Sequence, residues 1–152
     1  MSRTEHDHLT GYPVVVTLPV QWGDQDSFRH VNNTVYLRWC ETARVEYLIR
    51  IGLWGDRSDG AAPIVASLNC DYRHPLNHPD RVLVGARVTK IGNSSFRMEH
   101  RIVSESLGVL AAESHSTIVV IDGESGRPVR VPEAVREAIE KLEARQFEHA
   151  AR

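Results

Sequence analysis

Only two cysteines occur in 152 residues, Cys40 and Cys70, which is too few for a disulfide framework. Each falls within a stretch patterned as regular secondary structure, so both are expected to be reduced, buried thiols. No apolar run approaches the roughly 20 residues that a membrane-spanning helix needs. The opening residues, MSRTEHDHLTG, lack the apolar core of a secretory signal. Residues 1–12 are therefore expected to form a flexible polar tail, and the location to be cytoplasmic. A basic surplus is missing as well: 18 Lys and Arg stand against 20 Asp and Glu, for a formal charge of −2. Nothing here is built to neutralise a nucleic-acid backbone.

What is present suits one domain, drawn at residues 13–147. Hydrophobic residues make up 41% and charged residues 25%, a soluble globular balance, and the length supports a single core. Residues 13–22 (PVVVTLPVQW) are β-branched and read as a strand, with Pro19 placing it at an edge or bend. A helix is expected from Asn32 or Asn33, both favourable caps, to Gly52, a natural stop. Tyr36, Leu37, Cys40, Ala43, Tyr47, Leu48 and Ile51 form one apolar stripe on it. Val35, Trp39 and Ile49 form a second, so the helix is expected to be covered on several sides. Strands follow at roughly 64–74, 81–91, 95–105 and 109–121. Val82, Val84, Ala86 and Val88 alternate with Arg87 and Thr89. The turns at Gly92-Asn93 and Leu107-Gly108 predict an antiparallel meander for the last three. Pro132 opens a last, amphipathic helix bearing Val135, Ile139 and Leu142. The class is α+β, an antiparallel sheet wrapped around a long central helix.

The chemistry concentrates at residues 20–48. An acidic turn segment containing Asp24 and Asp26 leads directly into the central helix. A helix N-terminus offers unpaired N–H groups and partial positive charge. A carboxylate beside it supplies a base or nucleophile on one side and a cradle for a developing oxyanion on the other, as acyl transfer requires.

The ordered run Trp22-Gly23-Asp24-Gln25-Asp26, then His30-Val31-Asn32-Asn33, Tyr36-Leu37 and Glu41-Thr42-Ala43-Arg44 resembles the motif of the 4-hydroxybenzoyl-CoA thioesterase-like branch of the hotdog-fold superfamily. That resemblance implies a hotdog fold and hydrolysis of an acyl-CoA or related acyl thioester. It also implies a homodimer whose sheets join, often paired into a homotetramer, with active sites at the subunit interface. Asp26 takes the place of the catalytic carboxylate, as base or nucleophile. Asp24, two residues earlier, is read from its position as stabilising the loop, with a shared role open if both carboxylates are buried. The N–H at Asn33 is the expected oxyanion donor, with His30 in support. Asn32 and Tyr36 are placed at the substrate. Lys90 and Arg97 are assigned to the coenzyme A phosphates, with Arg87, Arg101, Arg127 and Arg130 as further basic candidates.

No cofactor is called for, because a thioester is already activated. A metal is not expected either, since His74, His78, His100 and His115 show no ligand spacing. Glu41 is a second candidate acid, read in the first instance as an ion-pair partner of Arg44 at i,i+3. Cys40 lacks an activating histidine nearby. One departure stands out: Arg29 occupies the place of a common family glycine, which removes left-handed freedom before His30. It keeps open a non-catalytic acyl-CoA binding or sensing protein.

Overall fold

The computed structural model describes residues 7–148. In chain order these form β1 (Val14–Val20), a 3-10 turn (Trp22–Asp24), α1 (Asn33–Arg50), β2 (Ala61–Tyr72), β3 (Asp80–Ile91), β4 (Ser95–Ser104), β5 (Leu110–Asp122) and α2 (Glu133–Glu143). All five strands join one antiparallel sheet in the order β1-β3-β4-β5-β2. The meander expected from the turns is β3-β4-β5. β1 lies at one edge, where Pro19 opposite Arg81 interrupts no inner ladder. β2 lies at the other edge.

The sheet curls around α1 because one face of every inner strand is apolar. Val82, Val84, Ala86 and Val88 of β3 are at most 1% exposed, and Phe96, Met98, Ile102, Ile118 and Val120 continue that face across β4 and β5. α1 answers with Val35, Tyr36, Trp39, Cys40, Ala43, Tyr47 and Leu48, all buried. The second stripe is only partly covered: Ile49, at the helix end, is half exposed. Gly52, at φ +76°, terminates the helix in the left-handed conformation that glycine tolerates.

Three expectations are corrected. Residues 7–12 are not a free tail: Leu9 and Tyr12 are buried on the outer sheet face with Leu83 and Val103. They close over Gly85, where a Cβ would meet Tyr12 at 2.7 Å. Residues 1–6 lie outside the described residues. Cys70 is only half-buried, because β2 is an uncovered edge, while Cys40 is fully buried. No ion pair joins Glu41 to Arg44. Arg44 turns inward and is buried, while Glu41 stays exposed.

Candidate active site at the start of the central helix

The segment between β1 and α1 is held as a tight loop by its own polar atoms. Asp24 is 5% exposed, and its carboxylate accepts from the Gln21 N–H at 2.8 Å and the Arg38 guanidinium at 2.8 Å. Its carbonyl receives the Asn32 N–H at 2.9 Å. Asp24 thus anchors the loop to the helix.

Asp26 sits in the next turn. Its N–H donates to the His30 carbonyl at 2.9 Å, and its own carbonyl accepts from the Arg29 N–H at 3.0 Å. One carboxylate oxygen accepts from the Phe28 N–H at 2.9 Å, the other from the Asn32 side-chain amide at 3.3 Å. Two donors fix the orientation of the group and leave lone pairs for a reaction. Asp26 is half-buried rather than enclosed.

Closing this turn requires a left-handed residue, and Arg29 supplies it at φ +63°. The sequence expectation that Arg29 removes this geometry is therefore corrected. The loop keeps the turn that a glycine would allow, at a cost of about 1 kcal/mol in local strain. The β2–β3 connection holds it in place: Asn77 donates its amide to the Arg29 carbonyl, Leu76 accepts the Val31 N–H at 2.9 Å, and the His78 N–H reaches Gln25 at 3.0 Å. Tyr72 donates its hydroxyl to the Asn33 carbonyl at 3.1 Å. Nothing local in the sequence signals these long-range supports.

The first turn of α1 leaves one donor spare. The Asn32 N–H is taken by Asp24, the Thr34 N–H by the Asn32 side chain at 2.9 Å, and the Val35 N–H by the Asn32 carbonyl at 2.9 Å. Among the described residues no acceptor takes the Asn33 N–H, the first helical position, seven residues from Asp26 in sequence. Such a donor at a helix N-terminus is suited to an oxyanion.

The other candidates are dispersed. His30 is exposed beside the loop. Tyr36 is 2% exposed, its hydroxyl on the His74 carbonyl at 3.3 Å and its ring 5.1 Å from Tyr72 and 5.4 Å from Trp39, so it forms the wall beneath the site. Its pKa is pushed up to about 12 by burial, so it stays a neutral donor. Lys90 and Arg97 face each other across β3 and β4. They lie ten residues along β3 from the Asp26 end, about 30 Å away, and do not join Asp26 within one subunit. Arg97 lines a groove of about 430 Å³ on the outer face with Ser67, Asn69, Thr89, His115 and Thr117. Arg87 and Arg101 are engaged elsewhere, with Glu99 and Glu113. His100 and His115 point to opposite faces of the sheet. No helix among the described residues is long and apolar enough to cross a membrane.

Similarity to known proteins agrees with this geometry. A family model described as the thioesterase-like superfamily matches residues 20–139. A thioesterase from Thermus thermophilus, solved with coenzyme A and Zn, is 38% identical over 90% of this chain and 98% of its own, with a TM-score of 0.78. The long-chain acyl-CoA thioesterase FadM of Escherichia coli is 26% identical over 77% of this chain and 89% of its own length. The chloroplastic acyl-acyl carrier protein thioesterase ATL3 of Arabidopsis thaliana is 30% identical over 80% of this chain. This chain spans only 64% of the length of ATL3.

Proposed function

We propose a reaction for a chain that belongs to the thioesterase-like superfamily and has its hotdog fold: hydrolysis of an acyl-CoA thioester to the free acid and coenzyme A. The observation that carries it is a fixed carboxylate, Asp26, next to a capped helix whose Asn33 N–H is left free. Asp26 takes a proton from water as water adds to the thioester carbonyl. The resulting oxyanion is held by the Asn33 N–H, and on collapse the thiolate leaves with the proton from Asp26. Attack by Asp26 itself, through an acyl-carboxylate anhydride, uses the same groups. Asn32 orients the carboxylate, while His30 and Tyr36 border the acyl group.

The working unit is a homodimer, itself able to pair into a tetramer. β2 supports this: it is an edge strand free to pair with a second β2, and its Val65, Leu68 and Tyr72 are exposed along one face beside that edge. Lys90 and Arg97, remote from Asp26 in their own subunit, are assigned to coenzyme A phosphates bound between subunits.

Thiol release from a panel of acyl-CoAs tests the reading. Wild-type protein is expected to turn over at least one member, and Asp26→Asn to lose on the order of 10² or more in kcat. Binding of acyl-CoA without release of thiol by the wild type would sink the hydrolase and leave a binding protein.

A further inference from the structure

The middle of α1 holds a charge that the chain does not neutralise. Arg44 is 6% exposed, and its Nε is buried with no hydrogen-bond partner. No ion pair or hydrogen bond from it appears among the described residues. Burial pulls its pKa below the ordinary guanidinium range, and Cys40 and Glu41 only partly offset this. The one carboxylate near it, Glu41, is exposed and makes no ion pair or hydrogen bond with it, and the other groups around it supply no anion. Burial raises the Cys40 pKa to about 12, so the thiol stays neutral. His100 is fully buried, with both ring nitrogens unpartnered, and its pKa is pushed down to about 3, so it too is neutral. Ser116 Oγ is also unpartnered. An isolated buried cation is costly, and such a group calls for a partner from outside the fold.

The guanidinium has somewhere to meet one. Arg44 lines a cavity of about 290 Å³ together with Leu48, Trp54, Ile64, Val65 and Ile118. The wall is apolar apart from Arg44 and the exposed Glu41. Arg44 lies eleven residues beyond Asn33 on the same helix, about 16 Å along its axis. An acyl chain laid along the helix from Asn33 would bring its far end to this cation and its apolar cavity.

We propose that Arg44 recognises a carboxylate at the far end of the acyl chain, making the substrate class the monothioesters of dicarboxylic acids. This rests on the thioester hydrolase reading above and narrows its substrate. A guanidinium binds a carboxylate through two parallel N–H···O bonds, and the burial of Arg44 strengthens the pairing. The apolar wall of the cavity takes the methylenes next to that carboxylate.

The test compares methyl-ended and carboxyl-ended acyl-CoAs, matched in length from about six to twelve carbons, in wild type, Arg44→Met and Arg44→Lys. The wild type is expected to favour the carboxyl-ended member at one or more lengths by at least tenfold in kcat/KM. Arg44→Met should collapse that ratio, chiefly through KM, and Arg44→Lys should restore part of it. Because Arg44 lacks an internal partner, Arg44→Met should hold or raise the melting temperature, which separates lost recognition from misfolding. Turnover without any preference for the carboxyl end overturns the proposal and leaves the hydrolase standing. So does an Arg44→Met protein that loses both members equally or changes its oligomeric state, since Arg44 would then serve a subunit contact. Release of thiol from no member overturns the hydrolase and this proposal together.

Discussion

The two faces of β4 and β5 treat polar groups in opposite ways. On the outer face Glu99 accepts from the Tyr12 hydroxyl at 2.5 Å and pairs with Arg87 at 3.0 Å, with Arg101 at 3.8 Å and His115 at 3.7 Å behind it. Arg101 reaches Glu113 at 3.1 Å, and Arg73 closes the ladder at 2.9 Å. Arg87 also lies over the Tyr12 ring, 4.5 Å from its centre. One residue along each strand, on the inner face, His100 and Ser116 have no partner, and the positive charge of Arg44 on the helix acts on His100. The outer face, reachable by water, is closed by the chain itself except for one buried nitrogen, the Arg87 Nε. The inner face, where burial is complete and an unpaired group costs most, is the one left open. That reversal marks the inner face as shaped for something besides folding.

The largest effect expected from this contrast is acid sensitivity of the inner face. Burial first, then the positive charges of Arg44 and His115, hold His100 at a pKa of about 3 against an ordinary 6.5. The folded chain keeps it neutral, whereas the unfolded chain takes up a proton as pH falls through about 6.5. The unfolded state therefore binds more protons between those values. Stability from this group is complete above pH 6.5 and declines as pH falls, by up to about 1.4 kcal/mol for each pH unit within the window. Urea midpoints measured from pH 7.5 to 4.5 should fall in the wild type and fall much less in His100→Leu. Equal slopes for the two proteins would remove His100 as the cause.

The outer face predicts a smaller loss, already present at neutral pH. Burial tends to raise the Glu99 pKa, but the Tyr12 hydroxyl and Arg87 outweigh it, so the carboxylate stays charged and central to the ladder. Glu99→Gln leaves Tyr12 a partner but strips Arg87 and Arg101 of their shared anion. Those arginines are 31% and 30% exposed, so water recovers part of the loss, and about 1–2 kcal/mol is expected from chemical denaturation. A Glu99→Gln protein as stable as wild type would show that the ladder is decoration and the contrast between faces is empty.

How much of this was legible in the sequence follows the range of the interactions. The meander of the last three strands, the buried helix and the capped start at Asn32 come from periodicity and local chemistry, which a sequence displays directly. So does the Asp24–Asn33 loop, because its bonds span only a few residues. The place of β2 at the far edge does not. The support of that loop by Leu76, Asn77 and Tyr72 was hidden, since those contacts cross some forty residues of chain. Tyr12 was hidden for the same reason: a tail reads as polar until Gly85, far along the chain, opens a place for the ring. Arg44 was misread because i,i+3 spacing suggests a surface pair with Glu41. Helix spacing says which residues are neighbours and nothing about which side faces the sheet.

Arg29 offers the finest test, because there the loop accepts strain that a nearby residue type would avoid. Its φ of +63° lies in the left-handed region, where a Cβ costs about 1–2 kcal/mol. Arg29→Gly removes that cost but loosens the unfolded chain by about 0.4–1 kcal/mol. The net expectation is a gain of roughly 0.5 kcal/mol, close to the resolution of a careful denaturation series. The backbone bonds from Arg29 N–H to Asp26 and from Asn77 to the Arg29 carbonyl survive the change, because neither uses the side chain. Asp26 should therefore keep its place, and thioester turnover should be retained in Arg29→Gly. A drop in kcat/KM confined to KM would instead assign the exposed Arg29 guanidinium to the bound thioester. A drop in stability would mean that the loop is held by its contacts rather than strained against them, and that its left-handed turn costs this chain nothing.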